Sequence, residues 1–134
     1  DLHSCTHSFP TRRSSDLTAQ LLVDSIRRSF YFNRPDGLCG NEDCGQMSAW
    51  YVFSALGFYP VDPASGSYAL GTPLFPSVTL HLPGGKKLAI KAQRNGGAAS
   101  PLVKRVRWNG RKVRRLAIEH SDLVKGGTLT FEMQ

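Results

Sequence analysis

Apolar residues along this chain follow two different periods. From Thr18 onward, Leu21, Leu22, Ser25, Ile26 and Ser29 recur at spacings of three and four, and Val23 and Phe30 widen the stripe. Such spacing puts them on one face of a helix. Asp16 or Thr18 is placed to cap its start. The pattern fades around Tyr31 to Asn33, ahead of the turn signal Pro35-Asp36-Gly37. A second helix is expected over Gln46 to Leu56. Met47, Trp50, Tyr51, Phe53, Ser54 and Leu56 leave it little polar face, so it reads as mostly buried. Gly57 suits its C′ position, and Pro60 and Pro63 forbid continuation.

After Pro76 the period becomes two. Val78, Leu80 and Leu82 alternate with Ser77, Thr79 and His81, and Gly84-Gly85 turns the chain into Leu88, Ile90 and Ala92. That is a hairpin pattern. Leu102, Lys104, Val106 and Trp108 alternate before Asn109-Gly110, the strongest two-residue hairpin signal. Leu129, Phe131 and Met133 mark a last strand. Asn95 to Ser100, rich in glycine and small residues, reads as the loosest loop. The expected class is α+β, with helices over residues 17–76 and a small antiparallel sheet with a polar outer face over 77–134.

Charge divides the chain along the same line. Residues 1–83 carry 5 basic and 7 acidic side chains, whereas residues 84–134 carry 12 basic and 3 acidic ones. A basic half invites a nucleic-acid reading. No nucleic-acid motif accompanies it, and lysine and arginine on strands also guard sheet edges, so nucleic acid is not the expected partner. No stretch approaches the roughly 20 apolar residues of a membrane helix, so no membrane role is expected.

The first residues stand apart. His7 to Leu17 reads His-Ser-Phe-Pro-Thr-Arg-Arg-Ser-Ser-Asp-Leu, which resembles the conceptual translation of a sequencing adapter. Residues 1–16 are polar and aperiodic, and they are expected to form a non-native or disordered leader with no part in the fold. His3, Cys5 and His7 then carry no functional weight. Cys39 and Cys44 lie five apart with no histidine nearby, which argues against zinc. They can pair with each other or stay free, and free thiols are the expectation.

Candidate chemistry concentrates in Gly40-Asn41-Glu42-Asp43-Cys44-Gly45, directly before the second helix. Asp43 precedes Gln46 by three, a capping-box spacing. Backbone N–H groups and the helix dipole would both lower its pKa, which suits a general base and not a general acid. A purely structural N-cap explains the same spacing. Glu42 reads as a solvated loop acid. Asn41 can offer an amide oxygen to a hard cation or serve as a turn residue. Gly40 and Gly45 permit close approach of backbone to a ligand. Trp50 and Tyr51 can stack on a sugar or fill the core.

The run Gly40-Asn41-Glu42-Asp43-Cys44-Gly45-Gln46-Met47-Ser48-Ala49-Trp50-Tyr51-Val52-Phe53, followed by Leu56-Gly57-Phe58-Tyr59-Pro60, resembles the signature of glycoside hydrolase family 92. Gly71-Thr72-Pro73-Leu74-Phe75, Asn109-Gly110 and Ile118-Glu119-His120-Ser121-Asp122-Leu123 fit as well. The resemblance implies a calcium-dependent, inverting exo-α-mannosidase with an N-terminal β-sandwich domain and an (α/α)₆ barrel. It makes Asp43 the catalytic base and a candidate calcium ligand, with Asn41 and Glu42 as candidate substrate contacts. Some members carry an aspartate where this chain has Asn41. The family's catalytic acid is a glutamate that would lie before residue 1, as would the N-terminal domain. The chain is thus expected to hold the last barrel helices and a terminal β segment, and to be inactive alone. The resemblance implies mannose-containing glycans as substrate and a secreted or periplasmic location. The competing expectation is a non-catalytic carbohydrate- or nucleic-acid-binding β module using Lys86, Lys87, Arg105, Arg107 and their neighbours on the basic 84–134 face.

Overall fold

The structure is a computed structural model that describes residues 12–94 and 100–134. Helix α1 spans Arg12–Phe30 and α2 spans Gln46–Leu56. The strands are β1 (Phe58–Tyr59), β2 (Ser67–Leu70), β3 (Ser77–His81), β4 (Lys87–Gln93), β5 (Val103–Trp108), β6 (Arg111–Lys112), β7 (Ala117–Glu119) and β8 (Gly127–Met133). A short helix α3, His120–Leu123, precedes β8. Most of the leader and most of the loop expected at Asn95–Ser100 lie outside the described residues.

Five strands form the main sheet in the order β3-β4-β8-β5-β6. Its core face follows the period of two. Leu88, Ile90 and Ala92 of β4 and Leu129, Phe131 and Met133 of β8 are all buried. Phe131 and Leu129 in the central strand have no exposed surface. The expected β3–β4 hairpin forms, as does the Asn109-Gly110 turn between β5 and β6. The sheet is mixed, not purely antiparallel, because β8 runs parallel to β4, with Ile90 opposite Leu129 and Ala92 opposite Phe131. A hairpin must be antiparallel. β8 instead returns to β4 over a long crossover, and side-chain alternation carries no record of strand direction.

A second sheet, β1-β2-β7, joins Phe58↔Leu70 and Tyr68↔Ile118. It crosses residue 76, so the regions expected to be helical and β share a sheet. Strands of two to four residues are too short to show a period. In β5, Val103 pairs with Met133 and Arg105 with Glu132, a β-bulge that leaves Lys104 without a partner. The simple alternation expected from Leu102 to Trp108 therefore breaks, and Val103 and Val106 are the buried residues.

Helix α1 also departs from expectation. It starts at Arg12, so Asp16 and Thr18 lie inside it and do not cap it. Its apolar stripe is turned away from the sheet, with Leu21 50% and Leu22 57% exposed. The docked face is polar. The Gln20 side-chain oxygen accepts a bond from the Val103 backbone N–H at 2.8 Å. The Arg27 guanidinium donates to the carbonyls of Ser54 and Thr72, each at 2.9 Å, and pairs with Asp24. Burial pulls the Arg27 pKa down, and Asp24 works against that shift. Helix α2 ends where expected. Gly57 adopts φ 94, and its N–H reaches the carbonyls of Phe53 and Ser54. A Cβ there would lie 3.0 Å from Phe131 and 3.2 Å from Pro73, so the left-handed C′ position and the tight packing both call for glycine.

Candidate active site

The acidic loop is built between two fixed points. On one side, the turn at Pro35-Asp36-Gly37 closes through Gly37 N–H to the Arg34 carbonyl, and Tyr31 bridges Leu38. On the other side stands α2. Tyr31 ties the two together. Its hydroxyl donates to the Met47 carbonyl at 3.1 Å, and its ring lies 5.6 Å from Trp50 and 4.9 Å from Tyr51. Burial, reinforced by nearby Cys39 and Glu42, raises the Tyr31 pKa. Trp50 thus stacks on a tyrosine of the chain itself and Tyr51 packs against it at a tilt, which limits the ring surface they offer to a sugar.

Between these points the backbone reverses. Asp43–Gly45 form a single 3₁₀ turn in which Cys44 has φ 55, and Gly45 follows with φ 79. A non-glycine residue with positive φ is uncommon and strained. The reversal separates the two acids. Glu42 reaches across it, and its carboxylate accepts the Ser48 backbone N–H and the Ser48 hydroxyl, both at 2.9 Å. Ser48 is the third residue of α2, and Gly45 at the N-cap has no side chain to offer. Glu42 therefore does the work of the cap expected from Asp43. The Asp43 carbonyl accepts the Gln46 N–H, but its side chain is exposed and has no hydrogen-bond or ion-pair partner among the described residues.

Asn41 is exposed beside Asp43, and Cys39 and Cys44 are exposed free thiols. A hollow of about 380 Å³, lined by Tyr31, Leu38, Ser48 and Tyr51, opens next to the loop. Asp43 is not part of its lining. No local pattern marks Tyr31 and Ser48 as organisers of this loop, because their partners lie 16 and 6 residues away. Calcium takes six to eight oxygen ligands. Among the described residues no three His, Cys, Asp or Glu side chains come together to hold a metal.

Helix α2 is less buried than its composition suggests. Only Ser54 and Ala55 are buried, and Val52 is 56% exposed. The competing basic face is partly neutralised. Arg105 and Arg107 both reach Glu132, at 3.4 and 2.6 Å, while Lys86 and Lys87 stay exposed. No described helix is long and apolar enough to cross a membrane.

Comparison with known proteins agrees with this geometry. The solved family GH92 α-mannosidase BT3965 from Bacteroides thetaiotaomicron superposes with a TM-score of 0.81 at 38% identity, covering 89% of this chain and 16% of that one. The same enzyme has been solved in complex with mannoimidazole. The inverting mannosidase BT2199 from the same organism gives 0.79 at 41% identity, with the same coverage of 89% and 16%. An uncharacterized secreted glycosidase of Arthroderma benhamiae is 30% identical over 99 residues, 72% of this chain and 13% of its own length. The chain thus spans about one-sixth or less of these relatives. The glycosyl hydrolase family 92 catalytic domain profile matches residues 4–134, a span that begins within the expected leader. With nearly its whole length matched, this chain belongs to glycosyl hydrolase family 92.

Proposed function

We propose that this chain is the base-bearing, C-terminal part of a secreted, inverting exo-α-mannosidase acting on terminal α-mannosides of glycans. The observation that carries the site assignment is the division of labour in the loop. Glu42 is bound to the first turn of α2, whereas the Asp43 carboxylate is solvent-facing and without a partner among the described residues, at the reversal. In this reading Asp43 takes a proton from a water as the water oxygen attacks the anomeric carbon. The glycosidic C–O bond breaks, and a carboxylic acid outside this chain protonates the leaving oxygen. Inverting enzymes hold the two carboxyl groups about 6.5–9.5 Å apart, with room for the water. One carboxyl group does not complete that machinery, so the chain alone is inactive in this reading.

Support for the substrate comes from the relatives, one of them an inverting mannosidase and another solved with mannoimidazole. The exposed stripe of Leu21 and Leu22 and the exposed Val52 supply packing faces for further barrel helices. Asn41, exposed beside Asp43, is assigned to substrate contact; Glu42 acts through its cap. Asp43 would hold the calcium implied by the resemblance only together with further oxygen ligands. The test uses the longer polypeptide that carries this chain. Proton NMR of the first product from an aryl α-mannoside should show β-mannose before mutarotation. Initial release of α-mannose would refute the inverting assignment.

A further inference from the structure

A groove of about 710 Å³ lies between the Asp16–Gln20 part of α1, the bulge in β5 and the segment that joins β6 to β7. Lys104, Arg105, Arg114 and Arg115 line it, against the single acid Asp16. Lys104 is the unpaired residue of the bulge, and bulges commonly re-aim a side chain. Lys104, Arg114 and Arg115 are exposed and have no carboxylate partner among the described residues. Arg105 is 3.4 Å from Glu132, but Arg107 holds the same carboxylate at 2.6 Å. The wall is fixed, because buried Gln20 grips the Val103 N–H at 2.8 Å.

Cations that outnumber the nearby acids in a concave site, here Asp16 and Glu132, repel one another and focus a positive potential there. The volume falls in the usual range for small-ligand sites. Among the described residues no aromatic ring lines the groove, which removes the stacking platforms that single-stranded nucleic acid uses. Arginine forks match tetrahedral oxyanions with paired hydrogen bonds. We infer that this groove binds a saccharide bearing sulfate or phosphate groups, at a place separate from the Asp43 loop. The saccharide part rests on the glycosidase reading above, and the oxyanion part rests on the groove alone.

The test measures binding, not hydrolysis, in the full-length polypeptide that carries this chain. A fluorescently labelled heparin-derived hexasaccharide is titrated by anisotropy at low salt. Lys104→Ala, Arg114→Ala and Arg115→Ala are combined in one variant; all three positions are exposed, and unchanged thermal unfolding confirms the fold. A control variant combines Lys86→Ala, Lys87→Ala and Lys91→Ala, which removes the same charge elsewhere. The groove variant should bind roughly tenfold or more weakly, with the control within about twofold of the unmodified protein. Equal losses in both variants, or no binding of the probe by the unmodified protein, would overturn the inference. So would equally tight binding of single-stranded DNA of matched charge. A polypeptide that hydrolyses α-mannosides yet ignores the probe refutes the groove and leaves the mannosidase reading standing.

Discussion

Removing Glu42 should destabilise this protein, and removing its neighbour Asp43 should not. In Glu42→Ala the Ser48 N–H and hydroxyl both lose a carboxylate acceptor held at 2.9 Å. The N-terminal end of α2 also loses a negative charge. Loss of a capping side chain costs about 0.5–2 kcal/mol, and the dipole contribution is about 0.3–1 kcal/mol. These bonds are exposed, so water replaces part of what is lost, and about 1 kcal/mol is expected. For a chain of 134 residues that lowers Tm by roughly 3–5 °C. Glu42→Gln keeps an acceptor and loses the charge, so it should fall in between. Asp43→Ala removes no side-chain bond among the described residues and keeps the backbone bond from Gln46, and a change within about 0.5 kcal/mol is expected. Thermal unfolding followed by circular dichroism on the purified variants decides the matter. An Asp43→Ala loss as large as that of Glu42→Ala would show that Asp43 is the cap and that the division of the loop acids is wrong.

Other perturbations probe the fold. Phe131→Ala empties the centre of the main sheet, where the ring has no exposed surface, and denaturant melts should show a loss of about 3–5 kcal/mol. Gly57→Ala places a methyl 3.0 Å from Phe131 at φ 94, so the same melts should show a loss above about 1 kcal/mol. Glu132 has its pKa lowered below the ordinary 4.5 by its hydrogen bond to Arg107, with help from nearby Arg105. A depressed carboxylate stabilises above its unfolded pKa and loses that contribution as pH falls through its folded pKa. Stability of the unmodified protein and of Glu132→Gln, followed from pH 6 downward, should therefore differ most above about pH 4.5 and converge in acid.

Much of the local architecture was legible in the sequence. The bounds of α2, its Gly57 stop, the β3–β4 hairpin, the Asn109-Gly110 turn and the buried row of β8 all follow from local signals: apolar period, turn residues and alternation. What was not legible depends on distant partners. The apolar stripe of α1 announces a helix but not which neighbour it faces, and within this chain a bond accepted by Gln20 and bonds donated by Arg27 dock the opposite side. The parallel β4–β8 pair and the β1-β2-β7 sheet join segments far apart in sequence. The exchange of roles between Glu42 and Asp43 depends on one strained residue, Cys44 at φ 55. The capping-box spacing assumes that no such reversal intervenes.

The central claim is that Asp43 is the general base of a family 92 hydrolase and that Glu42 is its structural neighbour. The most direct measurement is kcat and KM of Asp43→Asn and Glu42→Gln in the full-length polypeptide, with an aryl α-mannoside. The account predicts a fall of about 10²–10⁴-fold or more in kcat for Asp43→Asn, with KM and Tm little changed. It predicts a modest loss for Glu42→Gln that follows its lower stability. An Asp43→Asn enzyme that keeps most of its kcat, beside a Glu42→Gln enzyme that loses it, would contradict the account.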